Sequence, residues 1–134
     1  MNKRVVITGL GCVTPLGTGK EEFWSNIKSG VSGIDKITNF DASTYQTQIA
    51  GEVKNFHPEE YISKKELKRL DKFAQFAIVS AKLAVEDANL DLDKVDRERF
   101  GVIIGSGIGG VEAIETQHKI LLEKGKKRVS SLFV

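Results

Sequence analysis

The stretch Phe100-Gly-Val-Ile-Ile-Gly-Ser-Gly-Ile-Gly-Gly110 constrains this chain more than any other. A short apolar run there breaks into a loop carrying Gly105, Gly107, Gly109 and Gly110 before a helical pattern begins at Val111. An apolar run bounded by glycine reads as a covered strand, and a glycine loop lets another group approach the backbone closely. Gly105, Gly107 and Gly110 satisfy G-x-G-x-x-G after a strand and before a helix, which is the context of a dinucleotide-binding fingerprint. That fingerprint also needs an acidic residue about 20 positions on, at the end of a second strand. Glu123 has about that offset but falls at the end of the helix, ahead of Lys124 to Arg128 and of any second strand. A tight strand-to-helix turn, needing glycines at positive φ, accounts for the pattern better.

The remaining pattern is that of an α/β chain. Val5-Val6-Ile7-Thr8 is a β-branched run that meets Gly9 and Gly11, a strand passing into a turn. Thr18 with Glu21 reads as a capping box for a helix from about Lys20 to Ser29, burying Phe23, Trp24 and Ile27 and stopped by Gly30. Gln48 to Val53 alternates weakly, as a short strand would. Ser63 with Glu66 forms a second capping box, opening a helix whose Lys64, Lys65, Lys68, Arg69 and Lys72 share one face. From Phe73 to Ala88 apolar residues appear all round, as on a helix buried between layers. Asn89 to Arg99 reads as a polar loop and Gly101 to Ile104 as a fully apolar strand. A last helix from about Gly110 to Lys124 carries Val111, Ile114, His118, Leu121 and Leu122 on one face. Strands alternating with helices imply a mostly parallel sheet covered by helices.

Composition narrows the function classes. A length of 134 residues fits one domain or part of one. No apolar stretch approaches the roughly 18 residues that span a bilayer, and glycines interrupt the run after Lys3 and Arg4, so neither a membrane segment nor a secretory signal is expected. The single cysteine, Cys12, excludes an internal disulfide and fits a reducing, cytoplasmic setting. The net charge of +2 hides an asymmetry: Lys64 to Lys72 carries +3 and Lys119 to Arg128 carries +4, leaving −5 on everything else. Two basic patches on a mildly acidic body fit an acidic partner. Nucleic acid is disfavoured because neither patch interleaves aromatic residues for stacking.

No catalytic set assembles from the residues. Cys12 lies in an apolar strand-to-turn segment with no His or Asp near it in sequence, and reads as a small buried hydrophobe. His118 reads as a hydrogen-bonded core residue and His57, before Pro58, as a loop residue. Two histidines and one cysteine this far apart imply no metal site. The last residues, Val129 to Val134, are apolar with no polar tail or stop signal, as if the chain ended in mid-fold.

At this point the residues resemble a known family, the β-ketoacyl-acyl carrier protein synthases of the thiolase superfamily, in their elongating synthase II branch. The matching strings are Arg4-Val-Val-Ile-Thr-Gly-Leu-Gly-Cys-Val-Thr-Pro-Leu-Gly17, Trp24 with Gly30 to Ile34, Phe40-Asp41, Ile49-Ala-Gly-Glu-Val53, Lys65 to Phe76 and Gly105 to Gly110. They run in order over nearly the whole chain. The glycine loop with an isoleucine inside it is specific to the synthase II type, whereas the T-G-L-G turn is shared with polyketide ketosynthases. The resemblance implies a homodimer of five alternating layers, αβαβα, of which residues 1–134 are the N-terminal part.

It also implies fatty-acid elongation without a cofactor, by condensation of an enzyme-bound acyl thioester with malonyl-acyl carrier protein. The nucleophilic cysteine and two histidines lie beyond Val134 in the family, so no catalytic residue belongs to this chain and Cys12 is not the nucleophile. By the same resemblance Gly107 and Ile108 match the loop beside the acyl pocket, Ile108 being its gate. Val111 and Ile114 match lining positions, and Phe133 matches one that reaches the partner subunit's pocket. Lys65, Lys68, Arg69, Lys127 and Arg128 match positions that meet the acidic helix of the carrier protein. The chain departs from the family pattern at Ser131, where a proline is usual, and at Leu132, where a phenylalanine is usual. Three rival readings stand beside this one: a non-catalytic module that binds a carrier protein or dimerises, an NAD-binding oxidoreductase domain, and a polyketide ketosynthase.

Overall fold

The computed structural model describes residues 3–131 and 133. The chain divides into two compact units, one made of Met1–His57 with Val79–Leu92 and the other of Pro58–Ile78 with Asp93–Val134. In the first unit β1 (Val13–Thr14) pairs antiparallel with β2 (Gly17–Thr18) across Pro15 and Leu16. The Thr14 hydroxyl donates to the Gly17 carbonyl at 3.1 Å, and Asn26 on the following helix donates to the Leu16 carbonyl at 2.6 Å, which fastens the hairpin.

That helix, α1, runs Lys20–Lys28. The expected Thr18 and Glu21 box does not form: Gly19, at φ 86°, is the cap residue and offers no side chain, and the Glu22 carboxylate accepts the Thr18 amide at 2.9 Å instead. Gly30 does stop the helix. At φ 67° it turns the chain so that its own amide reaches the Ile27 carbonyl and the Val31 amide reaches Asn26, a Schellman closure. The expected burial of the α1 apolar residues is corrected, since Phe23 is only half-buried and Trp24 and Ile27 are exposed, Trp24 to 56%.

A second antiparallel pair joins β3 (Asp35–Lys36) to β4 (Ile49–Ala50). The Glu52 carboxylate extends this clasp by accepting from the Thr38 amide, the Thr38 hydroxyl and the Asn39 amide, and Lys54 reaches Asp35 at 2.7 Å. After the short helix α2 (Lys64–Leu67) comes α3 (Lys72–Asp87), the longest element, which belongs to both units and divides between Ile78 and Val79. It ends in a Schellman closure on Asn89, at φ 48°, where the Leu90 amide meets the Val85 carbonyl. Its Val79 is fully buried, and with Ala42 and Ile62 makes up the buried apolar set among the described residues.

Two expected strands behave differently. Neither Val5–Thr8 nor Gly101–Ile104 enters a ladder among the described residues; both run without assigned structure, and Ile103 is 100% exposed. A strand needs a neighbour at roughly 4.8 Å to satisfy its amides and carbonyls, and the ladders that do form here are the two short antiparallel ones. The chain is nevertheless α/β in composition of elements, and its helices carry most of the regular structure.

Candidate functional site

The second unit gathers the residues of interest. Its helix α2 is started by the expected capping box: the Ser63 hydroxyl accepts from the Glu66 amide, and Glu66 returns its carboxylate to the Ser63 backbone. Lys68 is the C-cap, and Lys68 and Arg69 lie in a turn before α3 begins at Lys72. The continuous cationic helix face expected from Lys64 to Lys72 is therefore corrected to a basic turn between two helices. Asp71 makes the break. One of its carboxylate oxygens accepts the Lys72 amide at 2.6 Å and its carbonyl accepts from Ala74 and Gln75, so Asp71 is the residue from which α3 departs.

The other oxygen of Asp71 reaches across to helix α4 (Val111–Lys124) and accepts the Ala113 amide at 3.1 Å. Gly110 caps α4 with no side chain of its own, so Asp71 supplies from elsewhere the acceptor that the first turn of a helix lacks. The approach is close. A methyl at Gly110 would lie 2.8 Å from that Asp71 oxygen and 3.3 Å from the Phe73 ring, so only glycine fits there without displacement. Upstream, the Ser106 hydroxyl accepts the Gly109 amide at 3.1 Å and Gly109 takes φ 80°, while a methyl at Gly105 or Gly107 would meet nothing within 4 Å.

Around this junction lies a cleft of about 850 Å³ lined by Lys68, Arg69, Asp71, Phe73, Ile114 and Phe133 among others. The Ser130 amide donates to Gln117 Oε1 at 2.7 Å and the Phe133 amide to the Ser130 carbonyl, which places Phe133 at its edge. Of the residues singled out from sequence, the cleft brings together Lys68, Arg69, Ile114 and Phe133. Lys65 stands apart on α2, Gly107, Ile108 and Val111 do not line the cleft, and Lys127 and Arg128 occupy a 3-10 turn after α4. Ile108 is 81% exposed on its loop. The five basic residues are exposed and hold no ion pair among the described residues. Leu132 and Val134 lie outside the described residues.

Three readings are corrected or narrowed. The face of α4 that turns inward is Ala113, Gln117 and Ile120, and the face carrying Val111, Ile114, His118, Leu121 and Leu122 is exposed, so His118 is not a core histidine. Glu123 pairs with Lys119 at 3.9 Å on the last turn of α4, not at a strand end where a ribose would be held. Cys12 is partly buried, and burial pushes its thiol pKa up, which disfavours the reactive thiolate. Asp71, Phe73 and Gln117 were not singled out from sequence. An Asp ahead of a helix is a start signal, but unbroken helix formers on both sides hide it.

The second unit thus sets a basic turn beside a cleft of mixed polar and apolar lining, with a glycine loop leading into the adjoining helix. Comparison with known proteins gives the class its family. The profile described as "Beta-ketoacyl synthase, N-terminal domain" matches residues 2–134, and the chain belongs to that family. It is 53% identical over 133 residues to 3-oxoacyl-[acyl-carrier-protein] synthase 2 of Staphylococcus aureus strain COL, covering 99% of this chain and 32% of that protein. The corresponding Synechocystis protein is 42% identical over 132 residues, with 98% and 32% covered. The chain thus spans about a third of the length of these relatives.

Among solved structures, the ishigamide ketosynthase/chain length factor aligns with TM-score 0.79 at 29% identity, over 99% of this chain and 33% of that one. A type II PKS acyl-carrier protein in complex with its ketosynthase, bound to the hexaketide, aligns with TM-score 0.78 at 26% identity, over 98% and 34%. The fold is therefore that of the thiolase-like ketosynthases. Among the described residues no helix is long and apolar enough to cross a membrane, and no group of three His, Cys, Asp or Glu comes together that would hold a metal ion.

Proposed function

We propose that this chain is the N-terminal part of an elongating β-ketoacyl-acyl carrier protein synthase acting in cytoplasmic fatty acid synthesis. The observation that carries the reading is the 53% identity, over 99% of the chain, to the Staphylococcus aureus synthase 2. In the reaction a cysteine thiolate takes an acyl group from carrier protein, displacing the carrier's thiol and forming a new thioester. Malonyl-carrier protein then loses carbon dioxide, and the electron pair left on its α-carbon attacks the acyl-enzyme carbonyl. Collapse of that adduct expels the thiolate and leaves a 3-oxoacyl-carrier protein two carbons longer. The cysteine and the two histidines that stabilise the enolate oxygen and its precursor are supplied from outside residues 1–134. No cofactor enters these steps.

On this reading the residues of the chain bind and admit; they do not react. Lys65, Lys68 and Arg69, joined by Lys127 and Arg128, receive the acidic helix of the carrier protein. Ile108 on its glycine loop gates the acyl chain, Val111 and Ile114 line its path, and Phe133 reaches the second subunit of a homodimer. The complex of a type II PKS carrier protein with its ketosynthase supports the choice of partner. The exposed apolar residues Val5, Ile7, Val102 and Ile103 fit surfaces covered by further sequence and by a second subunit. The type II PKS ketosynthase structure favours a second reading, a polyketide synthase, but at 26% identity it is more distant than the synthase 2 relatives.

Charge reversal tests the reading. Replacing Lys65, Lys68 and Arg69 by Glu should weaken binding of acyl carrier protein at least tenfold in titration calorimetry, and the loss should shrink as salt is raised. Unchanged affinity would remove the carrier protein as the partner of this surface.

A further inference from the structure

We propose that Asp71 is a positioning residue that ties the basic turn to the loop carrying Ile108, so that docking at Lys68 and Arg69 is felt at the gate. The proposal rests on the carrier-protein reading for the identity of what docks. Its geometry rests on three observations. Asp71 follows the Lys68-Arg69 turn by two residues and fixes where α3 begins, through the 2.6 Å bond from the Lys72 amide. Its second oxygen holds the Ala113 amide at 3.1 Å, spanning 42 residues of sequence. Gly110, which ends the glycine loop, is packed so closely on that oxygen that a methyl would stand 2.8 Å from it.

These contacts make Asp71 a bracket between two helix starts. Helix α4 has no side-chain cap of its own, so the carboxylate is the acceptor that orders its first turn. The loop before it is otherwise lightly held: Ser106 bonds Gly109, and Gly105 and Gly107 stand in open space. A displacement of the Lys68-Arg69 turn is therefore passed through one short, charged, doubly bonded side chain to the residue where the loop joins its helix. Direct hydrogen bonds to a carboxylate are among the stronger and more directional contacts available for that purpose. The Phe73 ring, 3.3 Å from the same methyl position, closes the other side.

The test is residue-resolved amide exchange and methyl resonance mapping on the 134-residue chain. In Asp71→Ala the Ala113 amide should exchange at least tenfold faster while the Ile120 amide, further along α4 in the same unit, keeps its protection, which separates loss of the bracket from loss of the fold. Asp71→Asn keeps one carbonyl oxygen for two donors and should fall between. If Asp71→Ala does not fold, the Asn variant decides, because Ile120 then serves as its internal reference. Ala113 protection equal to wild type in a folded variant overturns the proposal. Next, hexanoyl-loaded acyl carrier protein is added. The Ile108 methyl resonance should move in the wild type and stay still in the Asp71 variant at equal carrier affinity; movement in both overturns the coupling. If the carrier fails to bind the wild type, the carrier-protein reading falls, and the Ala113 amide alone decides whether Asp71 positions the loop.

Discussion

The chain holds two glycine turns that look alike in sequence and differ in what surrounds them. At Gly9 and Gly11 the backbone lies directly on helix α3: a methyl at Gly9 would overlap the Ala84 carbonyl oxygen, and one at Gly11 the Ser80 carbonyl oxygen. Nearby, Asp87 at the end of that helix accepts the Leu10 amide at 2.9 Å and pairs with Lys20. At Gly105 and Gly107 a methyl would meet nothing within 4 Å, and only at Gly110 does the loop closely touch its surroundings. The first turn uses glycine to let chain pack on chain. The second leaves Gly105 and Gly107 without a close neighbour among the described residues.

That contrast can be broken most forcefully at Gly11. Gly11→Ala should destabilise the first unit by about 3 kcal/mol or more, because backbone of α3 cannot move aside as a side chain can; thermal unfolding would show it. A fully stable variant would mean the packing on α3 is not as close as described. Gly110→Ala should cost less, about 1–2 kcal/mol, since its obstacle is a carboxylate that can swing away. Ser63→Ala removes the α2 capping box and should cost about 1 kcal/mol in chemical denaturation, leaving the first unit untouched.

A pH arm sharpens the first turn. The hydrogen bond from Lys20, followed by that from the Leu10 amide, holds the Asp87 carboxyl below its ordinary value, and the same contact raises Lys20. A carboxyl whose folded pKa is depressed stabilises the fold above its unfolded value, about 3.9, and loses that contribution as pH falls through the folded pKa. Acid unfolding of Asp87→Asn should accordingly be flatter than wild type below about pH 4, and parallel curves would argue against a native role for the pair. The smallest effect belongs to the open loop. Gly107→Ala should leave stability within about 0.5 kcal/mol of wild type, or raise it slightly by restricting the unfolded chain.

Local signals are readable where a residue acts on its own neighbours. Ser63 with Glu66 and the stop at Gly30 both follow from bonds closed within a few residues. Signals fail where a distant group decides. The break between α2 and α3 depends on Asp71, whose second partner is 42 residues away, and the helix formers on both sides of it mask the start signal an Asp gives. The Thr18 amide goes to Glu22 rather than to the expected box because Gly19, at φ 86°, stands between Thr18 and the helix. The inward face of α4 escapes a hydrophobic pattern because it includes Gln117, whose side-chain oxygen accepts the Ser130 amide, and the small Ala113. The cleft itself is legible only through family resemblance, which supplies Lys68, Arg69, Ile114 and Phe133 before geometry joins them.

The most direct test of the account compares acyl-loaded with unloaded carrier protein on the isotope-labelled chain, following backbone amide shifts. Both forms should perturb Lys65, Lys68 and Arg69, and only the loaded form should in addition perturb Gly105 to Gly110, Ile108 most of all, with Gly9 and Gly11 silent. Equal perturbation of the loop by both forms, or an acyl-dependent response centred on Gly9 to Gly11, would contradict the assignment of the open glycine loop as the acyl gate.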